Sequence, residues 1–244
     1  MHKTKTMTEA TTSSLYDLWS WFYDYTFGAL VHQRQIRAVK ELRPKPGERI
    51  LDLGCGTGMT LEYYPDDVEV VGMDLSAGML DGAKAKIKAK GIKNVKLVRG
   101  DAMMPPFAEH SFDQVLVTHT ITVVSEPEKL LAWAGRMVKP GGRIVVLNHF
   151  QSTNRVMAFL ERISNPMWIK IGWKSDLPLA PLLKDSSFKV EYHFKMGILD
   201  LWQILVLSTP SAPSQPGPRT RVTRHAVPEW AASTIPDQLE VEAA

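Results

Sequence analysis

A single cysteine, Cys55, stands among 244 residues, so an intramolecular disulfide and a cysteine-rich zinc site are both excluded, and a reducing compartment is the expected setting. Long apolar runs are missing as well. No stretch approaches the roughly 18 residues a spanning helix needs, and the opening MHKTKTMTEATTSS lacks the apolar centre of a secretory signal. A cytoplasmic protein is therefore expected, and no metal is. Net charge is small, at +3, and neither a nucleic-acid partner nor an obligate protein partner is expected. The positive charge is nevertheless clumped, which suits an anionic surface. What the chain does have is 44% hydrophobic residues, enough for one domain to bury a full core unaided.

Residues 1–14 are polar and carry no periodic apolar pattern, which predicts a mobile leader. Residues 209–244 are rich in proline and poor in large apolar side chains, which predicts a disordered tail without chemistry. Between them, residues 15–208 alternate short apolar runs with helical patterns, the mark of a parallel sheet flanked by helices. Strands are predicted at Arg49 to Leu53, Glu69 to Asp74, Val95 to Arg99, Phe112 to Thr118 and Gly142 to Asn148, with a further pair near Phe188 to Phe194 and Trp202 to Leu207. Helices are predicted at Met59 to Tyr64, Ala77 to Lys90 and Glu126 to Val138. No internal repeat is present.

The densest signal is LDLGCGTG, Leu51 to Gly58, a buried strand that runs straight into a glycine-rich turn. Gly54, Gly56 and Gly58 permit positive φ and let a ligand approach where a Cβ would stand, and Cys55 is a small residue between them. The spacing is G-x-G-x-G. A dinucleotide site uses G-x-G-x-x-G and sets a pyrophosphate on the helix start, whereas this tighter form, with Asp52 at the strand end, suits a ligand carrying an ammonium and a sulfonium. Asp74 closes the next strand in VVGMDLS, about 20 residues past the turn, where a carboxylate accepts both hydroxyls of a ribose. Asp101 and Ala102 end the third strand, placed for an adenine amine whose faces Leu75 and Met79 cover. Thr118 begins THT at the fourth strand end, beside the methyl group, and KPGG at Lys139 to Gly142 reads as a turn before the next strand.

Taken in order, LDLGCGTG, VVGMDLS, GDA, SFDQVLV and MVKPGG resemble the class I methyltransferase pattern over about Glu48 to Asn148. The flanks narrow this. YDLWSWFYDYTFG at Tyr16 to Gly28, HQRQIRAVKEL after it, VLNHF at Val146 to Phe150 and GWKSD at Gly172 to Asp176 resemble bacterial phospholipid N-methyltransferases, which methylate phosphatidylethanolamine toward phosphatidylcholine. The resemblance implies an α/β Rossmann-like fold with a mostly parallel seven-stranded sheet and helices on both faces. It also implies S-adenosyl-L-methionine as cofactor and S-adenosyl-L-homocysteine as product. Asp52, Gly54, Gly56, Asp74 and Asp101 would hold the cofactor, Tyr16 and Tyr23 would close over its methionine end, and His149 would face the amine. His119 stands where the family pattern calls for tyrosine, so the head-group pocket differs there.

The flanks also carry a physical argument for a lipid. An N-terminal lid at residues 15–43 holds Trp19, Trp21, Phe22, Tyr23, Tyr25 and Phe27, a density suited to a bilayer interface or to covering a site. An insert at residues 150–180 mixes large apolar residues with Arg155, Arg162, Lys170 and Lys174, the composition of an interfacial segment. Lys84, Lys86, Lys88, Lys90, Lys93 and Lys96 would add about 1 kcal/mol each beside anionic lipid. A peripheral protein on the inner face of the membrane is the expectation. Methyl transfer from a sulfonium is an in-line displacement, so holding donor and acceptor in line is the main task; an ethanolamine ammonium must first lose a proton, with His149, His119 or a tyrosine-bound water as its acceptor. Other acceptors that share the cofactor half are an ornithine lipid or a small or quinone-like molecule, and a non-catalytic, cofactor-holding membrane module is the alternative of a different class.

Overall fold

The computed structural model describes residues 29–151, 177–184, 186–197 and 200–211. The expected leader 1–14, Tyr16 and Tyr23 with the aromatic part of the lid, residues 152–176 of the insert, and the tail from 212 onward lie outside the described residues.

The chain enters on helix α1 (Ala29–Leu42), which buries Val31, Gln35, Ala38, Val39 and Leu42, a stripe at helical spacing. Arg43 takes a left-handed φ of 53° and Pro44 follows, so the helix stops there. Strands β1 (Arg49–Leu53), β2 (Glu69–Asp74), β3 (Val95–Arg99) and β4 (Phe112–Thr118) have the predicted bounds. The first, second and fourth are almost wholly buried, as parallel strands covered on both faces must be. Helix α2 (Ala77–Lys90) links β2 to β3; Ser76 caps it by accepting from Met79 N–H at 3.2 Å, and left-handed Gly91 ends it by donating back to Ile87 and Lys88. Helix α3 (Pro127–Met137) starts on proline and buries Leu130, Leu131, Ala134 and Met137. Strand β5 (Val138–Asn148), the short helix α4 (Leu179–Leu183), β6 (Lys189–Lys195) and β7 (Gln203–Ser208) complete the domain.

One seven-stranded sheet results, in the order β3-β2-β1-β4-β5-β7-β6. The first five strands pair in parallel, and β7 runs antiparallel between β5 and β6. One core packs Leu51, Val71, Val115, Val146 and Leu207 against α3 and α4; the other packs Ile50, Val70, Leu116, Val145 and Val206 against α1, α2 and Tyr64. Helices therefore cover both faces, the mostly parallel, Rossmann-like class that the motif order implies.

Three boundaries depart from the sequence reading. The helix expected at Met59 to Tyr64 is a single 3₁₀ turn, Leu61–Tyr63, because Pro65 follows and the glycine loop takes up the residues before it. KPGG is no turn preceding β5 but its bulged beginning: Val138 pairs with Phe112, then the register jumps so that Arg143 pairs with Gln114. Gly141 at φ 77° absorbs the extra residues, and a Cβ on Gly142 would stand 2.4 Å from the Asp113 carbonyl. Thr209 and Pro210, assigned from sequence to the tail, are held on the start of β5: Thr209 N–H donates to the Gly142 carbonyl at 3.0 Å and the Pro210 carbonyl accepts from Gly141 N–H at 3.1 Å.

Candidate active site

Ligands of open α/β sheets bind beyond the carboxyl ends of the strands where the strand order reverses, and here that point is the crevice between β1 and β4. Leaving β1, Gly54 and Gly56 adopt left-handed φ of 78° and 55°. Gly54 and Cys55 both donate to the Met73 carbonyl, at 2.8 and 2.9 Å, so the loop folds back over β2. Thr120 closes the other side: its hydroxyl reaches the Gly54 carbonyl at 3.3 Å and the Thr118 carbonyl at 3.0 Å. A Cβ on Gly54 would collide with that threonine at 2.1 Å, whereas one on Gly56 would meet nothing within 4 Å. Gly54 thus serves packing inside the protein, and Gly56 borders open space.

Asp74 holds the loop in this shape. One carboxylate oxygen accepts from Gly56 N–H at 2.9 Å and the other from Ser76 N–H at 2.9 Å, which ties the glycine loop to the start of α2. Leu75 beside it is 40% exposed, while Met79, one turn into α2, is buried. Asp101 makes a local turn, its carboxylate accepting from Met103 N–H at 2.8 Å, and Ala102 is half-buried after it. Thr118 is buried at the end of β4.

Asp52 is 0% exposed. Its Oδ2 accepts from Thr60 at 2.5 Å and Tyr64 at 3.0 Å, both in the turn after the glycine loop. Burial raises its pKa to about 6 against these two bonds. Its Oδ1 is buried with no hydrogen-bond partner among the described residues, a cost that a cationic ligand group would remove. Burial, with Asp52 and Asp74 nearby, pushes the Cys55 thiol well above its ordinary range, so that side chain is an unreactive filler.

The far side of the crevice holds the two histidines. His119 has a left-handed φ of 58°, anchored by its N–H on the Leu147 carbonyl at 2.8 Å. Burial, and then the charge of Arg34, depress its pKa to about 3, so the ring stays neutral throughout the physiological range. His149 is buried after Asn148, whose amide donates to Thr122 and to the His149 carbonyl, each at 3.1 Å.

The structure thus brings Asp52, Gly54, Cys55, Gly56, Asp74, Leu75, Met79, Asp101, Ala102, Thr118, His119 and His149 to one end of the sheet, while Tyr16 and Tyr23 lie outside the described residues. Thr60, Tyr64 and Thr120 were not anticipated from sequence. Thr120 had a legible signal, a hydroxyl in the THT run at a strand end; Tyr64 had none apart from following a glycine loop. The lysine series belongs elsewhere: Lys93 precedes β3 at the opposite end of the sheet, and Lys84, Lys90 and Lys96 are paired with Asp81, Glu62 and Glu69.

Comparison with known proteins agrees with this geometry. The sequence family described as a methyltransferase domain matches residues 51–146, which run from β1 through most of β5. A phosphatidylethanolamine N-methyltransferase of Cereibacter sphaeroides is 31% identical over 179 residues, covering 73% of this chain and 87% of its own. A demethylmenaquinone methyltransferase of Geobacillus kaustophilus is 30% identical over 187 residues, covering 72% and 79%. Among solved structures, a SAM-dependent methyltransferase of Thermotoga maritima superposes with a TM-score of 0.60 at 22% identity, covering 81% of this chain and 98% of that one, a likeness of fold. The chain belongs to the class I S-adenosylmethionine-dependent methyltransferases. Within that class, the expected likeness to bacterial phospholipid N-methyltransferases extends over most of the chain.

The crevice fits the cofactor of this class. The buried, unpartnered Asp52 oxygen suits its ammonium, the open space over Gly56 suits close approach of its backbone-contacting part, and Asp74 with exposed Leu75 suits a ribose and the adenine beyond it.

Proposed function

We propose that the chain transfers a methyl group from S-adenosylmethionine to the amine head group of a membrane lipid, with phosphatidylethanolamine and its partly methylated derivatives as acceptors. The observation that carries this reading is the alignment with phosphatidylethanolamine N-methyltransferase over 87% of that relative, together with the NHF and GWKSD runs. Peripheral attachment to the inner face of the membrane belongs to the same proposal; no helix among the described residues is long and apolar enough to cross a membrane.

In this proposal Asp52 holds the cofactor's ammonium, Asp74 its ribose, Asp101 and Ala102 its adenine edge, with Leu75 and Met79 against the ring, while Gly54, Cys55 and Gly56 shape the loop and Thr118 borders the reacting end. The cofactor supplies a methyl group on a positively charged sulfur. Everything else is positioning: an in-line displacement needs the nitrogen lone pair aimed at that carbon and water kept out. His149 and His119 face the head group from β5 and β4, and Tyr16 and Tyr23 close the site. With a pKa near 3, His119 is too weak a base to keep the ammonium proton at neutral pH; it accepts a hydrogen bond from the amine, and the proton passes on to solvent.

The second reading is a quinone-ring acceptor, favoured by the Geobacillus kaustophilus relative; cofactor binding without turnover is a third. Purified protein with methyl-labelled cofactor, given separate vesicles of phosphatidylethanolamine, ornithine lipid or demethylmenaquinol, separates them. Label is expected in phosphatidylethanolamine. Label only in the quinol, or in no lipid while the cofactor still binds, rejects the proposal.

A further inference from the structure

Helix α1 turns one uncharged polar side chain inward. Gln35 stands among Val31, Ala38, Val39 and Leu42 in the stripe that packs on the sheet, and it is 2% exposed. Its Oε1 is buried and has no hydrogen-bond donor among the described residues. An amide oxygen left in that condition is destabilising, whereas an apolar side chain would continue the stripe without the penalty. Asp52 Oδ1 is the other such oxygen on this face of the sheet, and the cofactor's ammonium is proposed above to supply its donors. Gln35 has no such explanation from the cofactor, which lies over β1.

Two anchors fix the level at which Gln35 meets the sheet. The Glu41 carbonyl accepts from Arg143 of β5 at 3.2 Å. Arg34 is bonded to Asp200, shortly before Gln203, whose register partner is Asn148 at the end of β5. Helix α1 therefore runs against β5, with its first half toward the carboxyl ends of the strands. From Glu41 back to Gln35 is about 9 Å at the helical rise, or nearly three strand residues, which brings Gln35 level with Val146 and Leu147. Leu147 faces α1 in the same core as Leu116 and Val145, and its partner across the ladder, Thr118, shares that face. Asp52, paired with Leu116 and bonded to Tyr64 of that core, shares it too. Since α1 packs on β4 and β5, the two oxygens stand one or two strands apart, about 5–10 Å. That is roughly the reach of a methionine chain, with Asp52 at its amino end and Gln35 near Thr118, where the reacting carbon is proposed to lie.

We propose that Gln35 Oε1 accepts an N–H of the acceptor amine and thereby turns the nitrogen lone pair toward the methyl carbon; this rests on the lipid-amine reading above. The lone pair forms the new bond to carbon as the carbon–sulfur bond breaks and leaves its electrons on sulfur, and the product ammonium then releases a proton to solvent. The contact is one of orientation, and it depends on how many hydrogens the reacting neutral nitrogen carries. Phosphatidylethanolamine offers two, the monomethyl lipid one and the dimethyl lipid none. Gln35 thus assists the first two methylations and contributes nothing to a third.

The test compares wild-type protein with Gln35→Met, which keeps side-chain length and removes the amide, on vesicles carrying phosphatidylethanolamine or its monomethyl or dimethyl derivative. In the variant kcat/KM is expected to fall by about tenfold or more with phosphatidylethanolamine, by a smaller factor with the monomethyl lipid, and to stay within about twofold with the dimethyl lipid. The free variant should melt at or above the wild-type temperature, because a buried oxygen without a donor is gone, and cofactor affinity by calorimetry should be unchanged. Equal losses on all three lipids, or no loss on any, overturn the proposal. If the variant does not fold, a crystal structure of the wild type with S-adenosylhomocysteine and short-chain phosphatidylethanolamine decides. The amine within hydrogen-bond distance of Gln35 Oε1 supports the proposal, and an amine out of its reach overturns it. Wild-type protein that methylates none of the three lipids rejects the functional reading itself, a result distinct from either.

Discussion

Asp52 sets the pH behaviour of the site. Its carboxyl is raised from the usual 3.8 to about 6 by burial, so between those values the folded protein holds a proton that the unfolded chain has released. Folding of the cofactor-free protein therefore becomes less favourable as pH rises through that window, by about 3 kcal/mol in all. A cationic ligand beside Oδ1 favours the charged form, so cofactor affinity is expected to rise with pH up to about 6 and then level. Calorimetry at pH 5.5 in two buffers of different ionisation enthalpy should detect proton release on binding, and no difference between buffers contradicts this. Asp52→Asn should raise the melting temperature of the free protein at pH 7.5 while weakening cofactor binding by roughly tenfold to a hundredfold.

The two loop glycines separate packing from binding at the same scale. Gly54→Ala drives a methyl into Thr120 at 2.1 Å on a left-handed backbone and is expected to lower stability by about 2 kcal/mol or more. Gly56→Ala has free space and costs only about 1–2 kcal/mol of backbone strain, but its methyl occupies the volume proposed for the ligand. Thermal melts should rank Gly54→Ala as the less stable. Cofactor titration of Gly56→Ala should show weakened binding, and an unchanged affinity there removes Gly56 from the site.

Between elements, α1 and Arg43 just after it are joined to the β6–β7 hairpin by three arginine–aromatic stacks, Arg34 on Trp202, Arg37 on Phe194 and Arg43 on Tyr192. Buried Glu41 adds to them by accepting from Arg37 and from the Tyr192 hydroxyl, each at 2.5 Å. Tyr192→Phe leaves one Glu41 contact unmade and is expected to cost about 1–3 kcal/mol, seen as a melting-point drop of about 2–10 °C with cofactor affinity unchanged. A loss of cofactor affinity in that variant would mean that the hairpin shapes the cofactor end as well.

Legibility at this scale follows how local each cause is. The bounds of β1 to β4 and of α2 were readable because apolar runs, Ser76 and Gly91 mark them within a few residues. The start of β5 was not, since Pro140 and two glycines look like a turn until β4 supplies the pairing that turns them into a bulge. Asp52, Asp74 and Asp101 announce themselves at strand ends. Arg34 and Asp200 are 166 positions apart, Asp52 and Tyr64 meet only because a 3₁₀ turn replaces a helix, and Thr120 matters only once Gly54 lies under it; such partners exist in the fold and have no signature along the chain.

For the whole molecule, the proposed reading divides cofactor and acceptor functions across the sheet. The β1–β2–β3 side carries the glycine loop with Asp52, Asp74 and Asp101, proposed for the cofactor, and the β4–β5 side carries His119 and His149, proposed for the acceptor. Relatives named for a phospholipid and for a quinone acceptor resemble the chain to a similar degree, 31% and 30% identical, so the acceptor has to be settled on the protein itself. The most direct measurement is therefore mass spectrometry of the lipids formed when purified protein, deuteromethyl-labelled cofactor and phosphatidylethanolamine vesicles are combined. The account predicts labelled methyl groups on the ethanolamine nitrogen, formed together with S-adenosylhomocysteine. An unlabelled phospholipid pool, with the label found on a quinol or left on the cofactor, would contradict it.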